Sequence, residues 1–259
     1  MFSDERKKKI LNQLATRQSV TVPELSEHFN VSESTIRRDL QDLEEQGQLK
    51  RTHGGAVAKE VSSFEPSIQE KVIHHPEEKS AIAAKAVSLI EPGATILLDS
   101  GTTTLEIARR LPDMDLTVAT NSLQIGQEIA GFQKVKLLFL GGELRPTTGA
   151  FVGPLTESLL SQLNVDQLFL GANAVELERG ITTPNTMEAA TKRAMIRSAR
   201  KVILTCDHSK LDKISLVKVC DFSDVDLFLT DSTVPPAYAS MLEKNKVELI
   251  TSRKGIIHD

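Results

Sequence analysis

Apolar residues recur at helical spacing in the first fifty positions and in short continuous runs beyond residue 90, a change of rhythm that divides the chain. From Ser3 to about Arg17 a helix is predicted, with Ile10, Leu11 and Leu14 facing inward. Thr21-Val22-Pro23-Glu24 has the form of a capping box, with Pro in the first turn where its missing N–H costs least. It opens a second helix carrying Leu25 and Phe29 inward, and Asn30-Val31 makes a short turn. Ser32 is the N-cap of a third helix, in which Ile36, Leu40 and Leu43 form one narrow apolar face. Gly47 stops that helix, and residues Gln48 to Val57 read as a β-hairpin turning near Gly54-Gly55. Three short helices and a two-stranded ribbon are a winged helix-turn-helix over residues 1–58, with the helix-turn-helix at about 20–39.

Periodicity fades over 59–76, where Pro66, His74, His75 and Pro76 interrupt a connector that carries one short helix near Ile68 to Ile73. A helix from Glu77 to Ile90 follows, ended by Pro92-Gly93. Seven apolar runs then read as buried strands: Ala94–Leu98, Leu116–Ala119, Val135–Leu140, Gln167–Leu170, Val202–Thr205, Leu227–Leu229 and Val247–Ile250. Helices are predicted at Thr104–Leu111, Leu123–Ala130, Leu155–Leu163, Thr186–Arg200 and Pro236–Lys244. Such alternation predicts an α/β domain over 77–259 with a mostly parallel sheet covered on both faces.

The chemistry follows from those placements. On the polar face of the third helix, Ser34, Thr35, Arg37 and Arg38 bring hydroxyls and guanidinium forks close to the helix start, as a DNA recognition helix requires. Charge neither supports nor excludes this. The net charge is −4, and residues 1–60 hold ten Lys/Arg against ten Asp/Glu, so DNA binding must come from a local patch such as Lys7, Lys8, Lys9, Arg37, Arg38, Lys50 and Arg51. Asp39 would repel phosphate and is expected to orient a neighbouring Arg.

In parallel sheets ligands bind beyond the carboxyl ends of the strands. After the first strand comes Asp99-Ser100-Gly101-Thr102-Thr103-Thr104, which reads either as an ordinary strand-helix turn or as a phosphate cradle of backbone N–H groups and hydroxyls. Other strand ends supply Asn121-Ser122, Gly141-Gly142-Glu143-Leu144-Arg145, Gly171-Ala172-Asn173 and Asp207-His208-Ser209-Lys210, a set suited to a polar, phosphorylated ligand. Glu188 and Lys192 either reach this cleft or form an i, i+4 pair on a helix surface. His74-His75 lacks companions for a metal site, so neither metal nor cofactor is expected. Cys206 and Cys220 read as small core residues in a reducing cytosol. The amino terminus lacks a signal-peptide pattern, and no apolar run reaches the ~18 residues of a membrane span.

The segment VSESTIRRDLQDLEEQGQLKRTHGGA resembles the amino-terminal domain of the DeoR/GlpR family of bacterial transcriptional regulators, with Thr35-Ile36-Arg37-Arg38-Asp39-Leu40 and the wing Arg51-Thr52-His53-Gly54-Gly55-Ala56 carrying the likeness. That resemblance implies DNA contacts from Arg37 and Arg38, helped by Ser34, Thr35 and, on the wing, Arg51 and His53. DSGTTT, GGELRPTTGAFVGP, GANA, GITTPN, the Glu188–Lys192 region and DHSK are similar to the family's effector-sensing domain. This implies a fold similar to ribose-5-phosphate isomerase and a sugar-phosphate effector held by Asp99, Ser100, Gly101, Thr102, Thr103, Asn121, Gly141, Gly142, Glu143, Arg145, Asn173, Glu188, Lys192 and Lys210. One departure stands out: where the family commonly has Gly-Ala-Asp-Gly-Ile-Asp, this chain has Gly171-Ala172-Asn173-Ala174-Val175-Glu176.

The expectation is therefore a cytoplasmic, homo-oligomeric (dimer or tetramer) repressor of a carbohydrate-metabolism operon. Its partners are double-stranded operator DNA and a phosphorylated sugar: a ketose 1-phosphate, an aldose phosphate or an amino-sugar phosphate. Two rivals remain. A working sugar-phosphate isomerase or deaminase needs a carboxylate base beside the substrate carbon, and the relatives' Lys-Gly-x-Gly segment is replaced here by Glu178-Arg179-Gly180-Ile181-Thr182-Thr183. A nucleotide-binding regulator ranks last, for want of a glycine fingerprint.

Overall fold

Ile10 and Leu14 on α1 (Ser3–Arg17) meet Leu25 on α2 (Val22–Phe29) and Ile36, Leu40 and Leu43 on α3 (Glu33–Glu45) in one buried cluster. Three strands complete this unit: β1 (Ser19–Thr21), β2 (Leu49–Thr52) and β3 (Gly55–Ala58), antiparallel in the order β1-β3-β2. In the computed structural model the chain divides into Met1–Pro66 and Ser67–Asp259. The structure describes residues 2–17, 19–52, 54–58 and 65–252, without the side chains at 15, 16, 50, 57 and 58.

Local signals account for the helical boundaries of the first unit. Thr21 and Glu24 form a reciprocal capping box, with the Glu24 carboxylate accepting from the Thr21 N–H at 3.1 Å. Asn30 takes the left-handed conformation that ends α2, and Ser32 accepts the Thr35 N–H at 3.2 Å to open α3. The ribbon has a third strand that the sequence pattern did not announce. β1 lies so close to β3 that a Cβ at Gly55 would stand 1.9 Å from the Val20 carbonyl oxygen. Asp39 does orient an arginine, but that arginine is Arg6 on α1, not one of its neighbours on α3. The two are buried and joined at 2.5 and 3.1 Å, with Ser3 donating a third bond at 3.0 Å. Without Arg6 the Asp39 carboxylate would be an uncompensated buried charge.

The second unit is built on β4 (Thr95–Leu98), β5 (Leu116–Thr120), β6 (Val135–Phe139), β9 (Val165–Gly171), β12 (Ala199–Thr205), β14 (Leu227–Thr230) and β15 (Glu248–Thr251). They form one parallel sheet in the order β15-β14-β12-β9-β4-β5-β6. Both faces are covered, so successive residues go to opposite cores and the strands read as unbroken apolar runs. Ile96 and Leu98 pack with α5 (Pro76–Val87), α6 (Thr102–Arg110) and α7 (Leu123–Ile129). Leu97 packs in the opposite core, with residues of α8 (Pro154–Leu160), α9 (Thr186–Ser198) and α10 (Pro236–Lys244).

Two additions sit outside this sheet. One is the hairpin of β7 (Glu143–Arg145) and β8 (Ala150–Val152); the other is an antiparallel sheet of β10 (Ala174–Glu176), β11 (Gly180–Thr183) and β13 (Val217–Cys220). Of the segment expected as a connector, 59–64 lie outside the described residues, whereas from Ser67 the chain is part of the second unit. There α4 (Ile68–Ile73) begins with a Ser67–Glu70 capping box.

Candidate functional site

From β4 the chain steps to β5 and β6 on one side, then returns to place β9, β12, β14 and β15 on the other. The order therefore reverses between β4 and β9, and in open α/β sheets the crevice at such a switch point is where ligands bind. Asp99 directly follows β4, and Gly171 ends β9. Asp99 is fully buried; one carboxylate oxygen accepts the Gly171 N–H at 3.0 Å and is ion-paired to Lys192, which also donates to the Gly171 carbonyl at 3.1 Å. Burial pushes the Asp99 carboxyl above the usual range, opposed by Lys192 and the Gly171 N–H.

A second, part-buried pair lies beside the first. Glu188, 4% exposed on α9, is ion-paired to Arg145 of β7 and accepts the Thr148 hydroxyl at 2.7 Å. Burial alone would raise its carboxyl, but Lys192, Thr148 and Arg145 together hold it below the ordinary range. Asn185 caps α9 by accepting the Met187 and Glu188 N–H groups, which fixes Glu188 in the first turn of the helix. Glu188 and Lys192 thus have separate partners inside the domain and are not a surface pair. Thr183 donates to Asn173 at 3.0 Å and lies 3.5 Å from Glu188, so the amide at 173 joins the same network.

The turn after β4 is tied down from within. The Thr104 hydroxyl donates to the Asp99 and Gly101 carbonyls at 2.6 and 3.0 Å, while Thr102 and Thr103 are largely buried in the first turn of α6. No side chain caps α6, in contrast to α7, where Ser122 accepts the Ile125 N–H. Asn121, 2% exposed, donates its amide to the Phe151 carbonyl at 2.8 Å and so anchors β8. Gly142 is needed for close approach, because a Cβ there would stand 2.1 Å from the Thr156 hydroxyl. Gly141 accepts that hydroxyl at 2.8 Å, and Glu143 is exposed on β7.

Lys210 lies farther along the strand ends, in the 3-10 turn His208–Lys210 that follows β12, where its charge acts on Asp207 and on Lys79. Lys79 was not expected here. It is buried on α5, donates to the Lys71 and His74 carbonyls, and is pushed down to about 8 by burial and the charge of Lys210. The two histidines diverge: the His74 carbonyl serves Lys79, while the His75 ring meets His208 edge-on at 5.3 Å. Among the described residues no group of His, Cys, Asp or Glu has the arrangement of a metal site. Thr148 and Thr183 stand in the GGELRPTTGAFVGP and GITTPN stretches but nothing there singles them out, and Lys79 carries no sequence signal.

In the first unit the polar face of α3 is open. Ser34, Arg37 and Arg38 are exposed and Thr35 partly so; Arg37 pairs across one turn with Glu33 at 2.9 Å, an exposed contact easily exchanged for another anion. Lys7 is engaged by Asp42 at 2.6 Å. Arg51 is exposed on β2, with its N–H held by Glu44 at 2.8 Å. His53 falls outside the described residues.

A helix-turn-helix unit followed by a parallel α/β unit with a polar, charged switch point defines a ligand-responsive DNA-binding protein. Comparison with known proteins narrows this. Residues 6–61 match the DeoR-like helix-turn-helix domain and residues 74–232 the DeoR C terminal sensor domain. The chain is 39% identical over 252 residues to the HTH-type transcriptional regulator GlpR of Haloferax volcanii, covering 96% of this chain and 98% of that protein. It is 38% identical to a putative aga operon transcriptional repressor of Escherichia coli O157:H7, covering 96% and 93% of the two chains. Among solved structures, ribose 5-phosphate isomerase A of Methanocaldococcus jannaschii is a partial likeness, at 19% identity, a TM-score of 0.39, and coverage of 52% of this chain and 54% of that one. The chain belongs to the DeoR family of helix-turn-helix transcriptional regulators. It is a regulator with a sensor domain, not a sugar-phosphate isomerase or deaminase. No helix among the described residues is long and apolar enough to cross a membrane.

Proposed function

We propose that the protein is a cytoplasmic repressor of a carbohydrate-metabolism operon, gripping operator DNA as a dimer or tetramer and controlled by a phosphorylated sugar at the switch point of the second unit. The observation that carries the effector reading is the two adjacent ion pairs, Asp99–Lys192, which is buried, and Glu188–Arg145, which is part-buried. Removing Asp99, Lys192 and Glu188 from water costs several kcal/mol per ion, and an apolar set of similar volume would close the domain as well. A charged ligand gives the pairs a use: Arg145 and Lys192 can face a phosphate, while Asp99, Glu188 and Asn173 accept from sugar hydroxyls. The first turn of α6 adds backbone N–H groups with no side-chain competitor. On the DNA side, Arg37 and Arg38 read bases or phosphates with Ser34 and Thr35 beside them, and Arg51 and His53 reach the backbone from the wing. Helix-turn-helix proteins grip paired half-sites with two copies.

The effector reading is tested by thermal unfolding against ribose 5-phosphate, glucose 6-phosphate, fructose 1-phosphate and galactosamine 6-phosphate, each beside its unphosphorylated parent. A compound at about 100 times its Kd adds about 2.7 kcal/mol. The expected result is an upward shift in Tm with a phosphorylated sugar and none with its parent. Equal shifts with both, or none across the set, would contradict it.

A further inference from the structure

The hairpin β7–β8 carries Arg145 into the cleft and turns at once. Within that turn the Thr148 and Gly149 N–H groups both donate to the Arg145 carbonyl, at 3.3 and 2.8 Å, and Gly149 is left-handed with φ +64°. Between them, the Thr147 carbonyl accepts the Ile68 N–H at 2.9 Å. Ile68 is the first residue of α4, and its N–H is one of the donors that a helix start leaves without an internal partner. The side chain of Ile68 is itself buried, and the far end of α4 is held by Lys79, which donates to the Lys71 and His74 carbonyls. The charge of Lys71, on α4, is also felt by Glu188. This short helix is therefore held at one end by the turn that follows Arg145 and at the other by the lysine beside Lys210. Ser67, its N-cap, is the first residue of the second unit, directly after the end of the first at Pro66.

We propose that α4 is the coupling element of the sensor: release of Arg145 from Glu188 shifts the turn at Thr147–Gly149 and, through the Thr147–Ile68 hydrogen bond, the point at which the chain enters from the DNA-binding unit. This rests on the effector reading given above. A phosphate carries more charge than the Glu188 carboxylate and competes with it for the guanidinium by charge-assisted hydrogen bonds. Because the Arg145 carbonyl anchors the Thr148 and Gly149 N–H groups, any backbone shift at Arg145 as its guanidinium is redrawn is passed to the Thr147 carbonyl in the same turn. A ligand that binds the two arrangements unequally then biases the DNA-binding unit.

The test needs no ligand. Glu188→Gln weakens the hold on Arg145. Ile68→Pro deletes the single donor at a position where Pro suits a helix start, since Ser67 already has φ −61° and ψ 161°. Ile68→Ala removes the side chain but keeps the donor. Affinity of the full-length chain is measured for an operator duplex selected from a random-sequence pool, together with amide exchange over 67–73. The expected result is that Glu188→Gln changes operator affinity by about fivefold or more and speeds exchange over 67–73. The affinity change disappears in the Ile68→Pro background and persists in the Ile68→Ala background. An equal change in all three backgrounds, or unaltered exchange over 67–73 in Glu188→Gln, would overturn the proposal. The two readings fail separately: a sugar phosphate that shifts Tm while this cycle shows no coupling removes α4 alone, and coupling without any Tm shift removes the sugar-phosphate effector alone.

Discussion

Arg37→Ala and Arg38→Ala each weaken operator binding by about 10- to 100-fold, and the double variant binds operator no better than unrelated duplex. The magnitude follows from the guanidinium fork, which makes two parallel bonds to one guanine edge or one phosphate and has no equivalent in alanine. Neither arginine is held by the fold: Arg37 has an exposed one-turn contact with Glu33, and Arg38 is exposed. Truncation should leave the buried face of Ile36, Leu40 and Leu43 intact. A lost phosphate contact would also lower the salt slope of binding by about one. Fluorescence anisotropy at several salt concentrations checks both effects, with sugar-phosphate binding as the control. Unaltered operator affinity in the double variant would refute α3 as the reading element.

Lys192→Met destabilises the second unit by about 3–5 kcal/mol. Met fills much of the lysine's volume, so the loss comes from charge: the Asp99 carboxylate stays buried with the Gly171 N–H as its remaining hydrogen-bond partner. Burial already drives that carboxyl toward its neutral form, and removing Lys192 removes the main opposition. Asp99→Leu together with Lys192→Met should recover most of the lost stability, because an apolar pair avoids desolvation. The double variant should nevertheless bind no sugar phosphate. Denaturant unfolding of the three chains, followed in the second unit, separates these effects. Undiminished stability in Lys192→Met would mean that the pair does not hold the switch point together.

What the sequence made legible was local or two-sided. The Thr21–Glu24 box, the Ser32 cap and the stop at Gly47 each act within a few residues of themselves, and the first-unit helices follow from them. Strands such as Thr95–Leu98 could be read because they are buried on both faces and need no alternation. Short strands at the margins gave no such signal. β1 has one buried residue, Val20, and β11 reads Gly-Ile-Thr-Thr, a pattern that becomes a strand only because β10 and β13 lie beside it.

The site divides along the same line. Its constituents stand at strand ends, which the periodicity locates, but their partners are set by long-range closure. Arg6 meets Asp39 across 33 positions, Arg145 meets Glu188 across 43, and Lys192 meets Asp99 across 93. The spacing of Glu188 and Lys192 allowed a mutual surface pair or two cleft residues, and the separate partners Arg145 and Asp99 rule out the surface pair. Thr183 and Thr148 are not marked as site residues by sequence alone, because a hydroxyl acquires a role from the carboxylate it meets.

The central claim is that a phosphorylated sugar in the second unit governs operator binding by the first. The measurement that tests it most directly is operator affinity of the full-length chain at fixed salt, with the sugar phosphate that raises its Tm and, separately, with the unphosphorylated parent. The account predicts a change in Kd of about 5- to 150-fold with the phosphorylated compound and none with the parent. A sugar phosphate that binds the chain and leaves operator affinity unchanged would contradict it.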